Sequence, residues 1–181
     1  MKLLTILADG SEELEAIAVI DIMRRCGIEV TVAGLSGVRI RAAHGTEIIC
    51  DTVLEECETN SFDAVFLPGG LNGSLSFHDS GAVQTLLREM ADAGKIISAI
   101  CAAPIALARA GLLENKVFTM YPGFEEYLNG KIPTGNLAET DGKIVTGKGP
   151  GAVYAFAGKL AEALGLKAEC EELFKAMFVE L

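Results

Sequence analysis

Short apolar runs alternate with amphipathic stretches along this chain. Leu3 to Ala8 is apolar and stops at Asp9-Gly10. The spacing that follows predicts a helix from about Glu12 to Cys26, closed by Gly27. Ile28 to Ala33 alternates and predicts a strand. Val38 to Cys50 is interrupted by polar residues and reads as a hairpin or two short strands. Asp63 to Leu67 reads as a buried strand stopped by Pro68-Gly69-Gly70, and Ser80 to Ala93 as a helix ending at Gly94. Lys95 to Ile100 is a further buried strand, running into Cys101 and a helix from about Ala102 to Ala110. Val117 to Met120 predicts a brief strand and Gly123 to Asn129 a short helix. Glu139 to Thr146 carries an Asp-Gly turn and predicts a hairpin. Gly147 to Gly151 is a loop, and helices are expected at Ala152 to Leu164 and Ala168 to Phe178.

Buried strands alternating with helices imply βαβ units on a mostly parallel sheet. The 181 residues suit one domain, spanning 1–181, without linker or repeat. In such a fold, ligands bind beyond the carboxyl ends of the strands. Three strand ends are then expected at one edge: Asp9 to Glu15, Pro68-Gly69-Gly70 and Cys101-Ala102.

Composition narrows the function classes. Half of the residues are hydrophobic but only 6% are aromatic, so the expected core is aliphatic. A formal net charge of -10 argues against nucleic acid or an anionic membrane surface as partner. The apolar start is too short for a signal peptide, and no stretch is long enough to span a bilayer, so a cytoplasmic protein is expected. Five cysteines without C-x-x-C spacing read as free thiols, and no zinc-type metal cluster or cofactor motif is legible.

Cys101 stands out among those thiols. A cysteine between a strand and a helix N-terminus would face unpaired N–H groups and the positive end of the dipole, which favour the reactive thiolate. Gly69-Gly70 would let backbone N–H groups, together with the Ala102 amide, face a pocket and stabilise an oxyanion. Glu15 shares a helical stripe with Ala18, Val19 and Ile22, where a carboxyl is desolvated and its pKa raised. It could serve Cys101 as proton donor and acceptor. His44 and His78 read as surface residues, and Tyr121 as a residue that could line the pocket.

Ala99-Ile100-Cys101-Ala102-Ala103-Pro104, with Leu67-Pro68-Gly69-Gly70, Asp9-Gly10-Ser11-Glu12-Glu13-Leu14-Glu15 and Lys148-Gly149-Pro150-Gly151, resembles the DJ-1/PfpI (ThiJ) superfamily, most closely its DJ-1/YajL-like branch. The resemblance implies a flavodoxin-like three-layer α/β sandwich, a nucleophile-elbow cysteine at Cys101, a protonated glutamate at Glu15, oxyanion glycines at Gly69 and Gly70, and a homodimer. It also implies cysteine-dependent stress protection: glutathione-independent glyoxalase activity on methylglyoxal, or deglycation of protein or nucleotides. The alternative is a redox sensor or chaperone driven by oxidation of Cys101. Some relatives carry a histidine where Tyr121-Pro122 stands here, and peptidase-like members carry one directly after the cysteine, where this chain has Ala102. The expected substrate is therefore a small reactive dicarbonyl or a glycated molecule, without cofactor, rather than a peptide.

Overall fold

A computed structural model describes residues 1–180 of the chain. In chain order the elements are β1 (Lys2–Leu7), α1 (Glu13–Arg25), β2 (Glu29–Gly34), β3 (Arg39–Arg41), β4 (Glu47–Ile49), β5 (Thr52–Val53), β6 (Ala64–Leu67), α2 (Leu71–Asp79), α3 (Gly81–Asp92), β7 (Ile96–Ile100), α4 (Pro104–Arg109), β8 (Ala138–Asp141), β9 (Ile144–Gly147), α5 (Val153–Ala163) and α6 (Lys167–Ala176). Single 3-10 turns at Leu54–Glu56, Thr59–Ser61, Glu125–Leu128 and Pro150–Ala152 join them.

Seven strands form one sheet in the order β5-β2-β1-β6-β7-β9-β8. All neighbours are parallel except β8 and β9, whose antiparallel pairing is the expected hairpin around Gly142. Helices α1, α5 and α6 pack on one face, and α2, α3 and α4 on the other. The result is a flavodoxin-like three-layer α/β sandwich. Both faces are covered, so β6 and β7 are buried along their whole length; β6 is an unbroken apolar run, and the one polar residue of β7, Ser98, donates its hydroxyl to Val65 O at 2.8 Å. Successive residues still divide between layers: Ala64 and Phe66 face one core cluster, Val65 and Leu67 the other. Phe66 meets Phe156 of α5 at 5.4 Å between ring centroids.

The strand order reverses at β1. From there the chain builds outward through β2 on one side and through β6, β7 and β9 on the other. Such a reversal opens a crevice at the carboxyl ends of the strands. Here it lies where β1 and β6 adjoin, with β7 next in line.

Two elements differ from expectation, and a third, α2, was not predicted. Val117 to Met120 is not a strand. Both edges of β9 are already taken by β7 and β8, so this segment bonds to side chains instead. Val117 N–H donates to Asp141 Oδ2 and Thr119 N–H to Thr146 Oγ1, each at 2.9 Å. The segment Leu71–Asp79 is helical although Asn72, Gly73, Ser74 and Ser76 are poor helix formers. Packing against α4, and Gly73 lying tight on Ser11, override the local preference. Finally, α4 starts at Pro104 rather than Ala102, and residues 101–103 form a turn.

The hairpin of β3 and β4, joined by residues 42–46, stands apart as a separate two-stranded ribbon over the α1 entrance. No helix among the described residues is long and apolar enough to cross a membrane. Phe156 is fully buried between α5 and the sheet. Phe156→Ala is expected to cost about 3–5 kcal/mol of stability in urea unfolding, and a loss below 1 kcal/mol would show that this core layer is not as closely packed as described.

Candidate active site

The end of β1 is tied to the end of β6. Glu12 N–H donates to Gly69 O at 3.0 Å, and Ala8 N–H donates to Ser11 Oγ at 3.0 Å. Glu12 then caps α1: its Oε2 accepts the Glu15 N–H at 2.7 Å. That cap places Glu15 in the first helical turn with its side chain turned inward, fully buried. Glu15 Oε2 accepts the Gly69 N–H at 2.8 Å, while Oε1 has no hydrogen-bond partner.

Cys101 follows β7 with φ of 63°, a left-handed conformation that a non-glycine residue rarely adopts. Backbone bonds on both sides hold it there. Cys101 N–H donates to Gly147 O at 2.9 Å, and Cys101 O accepts the Tyr121 N–H at 2.8 Å. The bend turns Sγ back toward Glu15 and into the reach of the Gly70 and Ala102 amides.

Gly69 explains why the two side chains can meet. A Cβ there would lie 2.6 Å from Glu15 Oε2 and 3.0 Å from Cys101 Sγ, and would collide with Cys101 Cβ. Only a residue without a side chain fits between them. Gly70 has φ of 88°, and a Cβ there would meet Gly10 O and Glu12 N. Of the two expected oxyanion glycines, only Gly70 has its amide toward sulfur. The Gly69 N–H is engaged by Glu15.

The electrostatics differ from the sequence expectation in one respect. Ala102 and Ala103 separate Cys101 from α4, so the helix dipole is not the leading influence on the thiol. Burial is. With Glu15 ionised beside it, burial and that charge push the thiol up to about 12, against the pull of the Gly70 and Ala102 amides. Burial also pushes the Glu15 carboxyl up to about 7; the Gly69 N–H opposes this, and the Glu12 charge adds to it. Two buried acids in contact cannot both ionise near neutrality, so the pair carries a single negative charge. Sulfur has two N–H groups facing it, whereas the carboxyl has one and leaves Oε1 bare. This donor count favours thiolate with a protonated Glu15, whose O–H supplies the hydrogen bond that a carboxylate could not.

The structure thus brings Glu15, Gly69, Gly70, Cys101 and Ala102 together. Tyr121 joins them only through its backbone. Its ring lies over Gly149, where a Cβ would come within 3.1 Å of it, and lines a neighbouring cleft of about 390 Å³ with Pro122, Leu137 and Lys148. Lys148 Nζ is engaged by Gly135 O at 2.9 Å. Cys26 and Cys170 lie in thiol contact, and burial raises both, Cys170 to about 12. Cys50 is buried and raised to about 11. His78 pairs with Asp79 and stands edge-on to Tyr127. His44, read from sequence as a surface residue, is exposed but reaches Glu12 and Glu13, across 31 residues from the latter. These three groups lie within 4.8 Å of one another, a contact that no local pattern announces.

The raised Glu15 carboxyl has a consequence for stability. Between its ordinary value and about 7 the folded chain keeps a proton that the unfolded chain has lost. Stability therefore falls as pH rises through that window and levels off above it. In a Cys101→Ser background, where one group titrates, Glu15→Gln should remove this slope. The variant should gain up to about 3 kcal/mol on its parent between pH 4.5 and 8 in urea unfolding. Parallel stability curves would show that Glu15 ionises as freely in the folded chain as in the unfolded one.

Comparison with known proteins agrees with this architecture. The DJ-1/PfpI family model matches residues 1–163. "Protein dj-1beta" of Drosophila melanogaster is 41% identical over 179 residues, covering 97% of this chain and 96% of that protein. "Glutathione-independent glyoxalase DJR-1.2" of Caenorhabditis elegans is 30% identical over 171 residues, covering 93% and 91%. The solved structure of oxidized Toxoplasma gondii DJ-1 superposes with a TM-score of 0.93 at 32% identity, covering 99% of both chains. With its sheet order, its left-handed cysteine beyond β7 and a sequence match over nine-tenths of its length, the chain belongs to the DJ-1/PfpI family.

Proposed function

We propose that the protein is a glutathione-independent glyoxalase that converts small 2-oxoaldehydes such as methylglyoxal to 2-hydroxy acids. The observation that carries this reading is the buried contact between Glu15, raised to about 7, and the left-handed Cys101. The glyoxalase relative from Caenorhabditis elegans supports the substrate class.

In this mechanism Cys101 thiolate adds to the aldehyde carbon, and Glu15 gives its proton to the resulting oxygen. The Gly70 and Ala102 amides hold that oxygen as charge develops. Glu15, now ionised, takes the proton from the former aldehyde carbon and returns it to the adjacent carbon through an enediol. The first carbon reaches the acyl level as the ketone becomes an alcohol, so no outside oxidant is needed. Water then cleaves the thioester, releasing the hydroxy acid and restoring the thiol. Protein or nucleotide deglycation would use the same nucleophile and proton carrier.

A homodimer in the cytoplasm is part of the reading. Leu14 and Ile17 are about half exposed on the same side of α1, an apolar pair suited to a second copy. The free thiols suit a reducing compartment.

The second reading is a redox sensor, favoured by the same two amides facing sulfur, which would hold sulfinate oxygens as well as an alkoxide. Graded peroxide separates the two. A sensor requires Cys101 to oxidise before the other four cysteines, and mass spectrometry showing even oxidation would discard it.

For the glyoxalase, lactate should form from methylglyoxal without glutathione. Cys101→Ser should fall to background, and Glu15→Gln should lose about 100- to 1,000-fold in kcat. Wild-type rates in Cys101→Ser would overturn the mechanism.

A further inference from the structure

We propose that His44 is a positioning residue for the Glu15–Cys101 pair: its charge, set beside Glu12 and Glu13 at the first turn of α1, adjusts how readily that pair releases its first proton. The inference rests on the pair invoked for the proposed function, but not on the identity of the substrate.

The geometry runs through Glu12, which has three fixed relations to the site. Its N–H bonds Gly69 O at 3.0 Å, its Oε2 accepts the Glu15 N–H at 2.7 Å, and its remaining oxygen, Oε1, lies 3.7 Å from His44 Nδ1. Glu12 is itself largely buried, so its charge is poorly screened. That charge makes Glu15 harder to ionise. An imidazolium beside Glu12 offsets the charge, and a neutral imidazole leaves it in force. Histidine is the side chain that ordinarily changes charge between pH 5 and 8, the range in which the pair releases its first proton.

The backbone keeps His44 in place. Its N–H donates to both Glu13 carboxylate oxygens at 3.1 Å, and Nδ1 lies 3.2 Å from Glu13 Oε2. Burial opposes the Glu13 charge, but its own amide and the His44 donors outweigh this and hold it down to about 2. Asp9 and Arg41 are the other charged groups of this corner, joined by the Arg41 N–H to Asp9 Oδ1 at 2.8 Å. The His44 side chain is 74% exposed, so its ion pairs contribute little to stability. Its effect falls instead on the titration of its buried neighbours. Neither histidine of the chain is among the groups that act on the Cys101 thiol. The β3–β4 turn supplies one at the rim, acting through charge and not as a base in contact with substrate.

The test is the pH profile of Cys101 alkylation by iodoacetamide, read by mass spectrometry of the Cys101 peptide. It needs no glyoxalase turnover. His44→Gln keeps the backbone N–H to Glu13 and removes the charge; His44→Arg keeps a charge at every pH. The first inflection of the profile should move up by roughly a few tenths of a pH unit in His44→Gln and move down in His44→Arg, the scale of a charge acting through a solvent-screened rim. Profiles that superimpose on wild type would overturn the proposal. So would shifts of the same sign in both variants, since those would mean a structural effect of losing the imidazole. Opposite shifts with no lactate from methylglyoxal would leave His44 in this role and remove the glyoxalase reading alone.

Discussion

A carboxyl and a thiol share a space from which the glycine between them excludes everything else. Gly69 has no room for a methyl group, because Cys101 Cβ, Glu15 Oε2 and Cys101 Sγ all lie within 3.0 Å of where it would stand. Everything distinctive about the site follows from that approach. Two acids in buried contact hold one negative charge between them, and the surrounding N–H groups decide where it rests. The Gly69 amide serves the carboxyl, and the Gly70 and Ala102 amides serve the sulfur.

The fold creates this contact by bringing three strand ends to a reversal in strand order. β1 delivers Glu15 through a loop tied to Gly69, β6 delivers the two glycines, and β7 delivers Cys101. The left-handed turn at Cys101 costs about 1–2 kcal/mol. It persists because its N–H and C=O are bonded to Gly147 and Tyr121. Tyr121 thus supports the elbow from behind, while its ring serves a different cleft.

Much of this was legible in the sequence, for reasons that can be named. The short, largely apolar runs before Gly69 and Cys101 marked buried parallel strands. The placing of Glu15 on a stripe with Val19 and Ile22 marked a carboxyl turned inward. What escaped was non-local. α2 has a sequence unsuited to a helix and is held by its neighbours. Val117 to Met120 looks like a strand but meets a sheet with no free edge. The late start of α4 left burial, rather than the helix dipole, as the main influence on the thiol. His44 reaches α1 by folding a hairpin across it, which no spacing rule anticipates.

The central claim is that near neutrality the charge sits on sulfur and the proton on Glu15. An infrared titration measures both at once, following the Cys101 S–H stretch and the protonated Glu15 carbonyl stretch, with Cys101→Ser and Glu15→Gln to assign the bands. The S–H band should disappear around neutral pH while the carbonyl band persists. Loss of the carbonyl band first, with S–H surviving into alkali, would contradict the account.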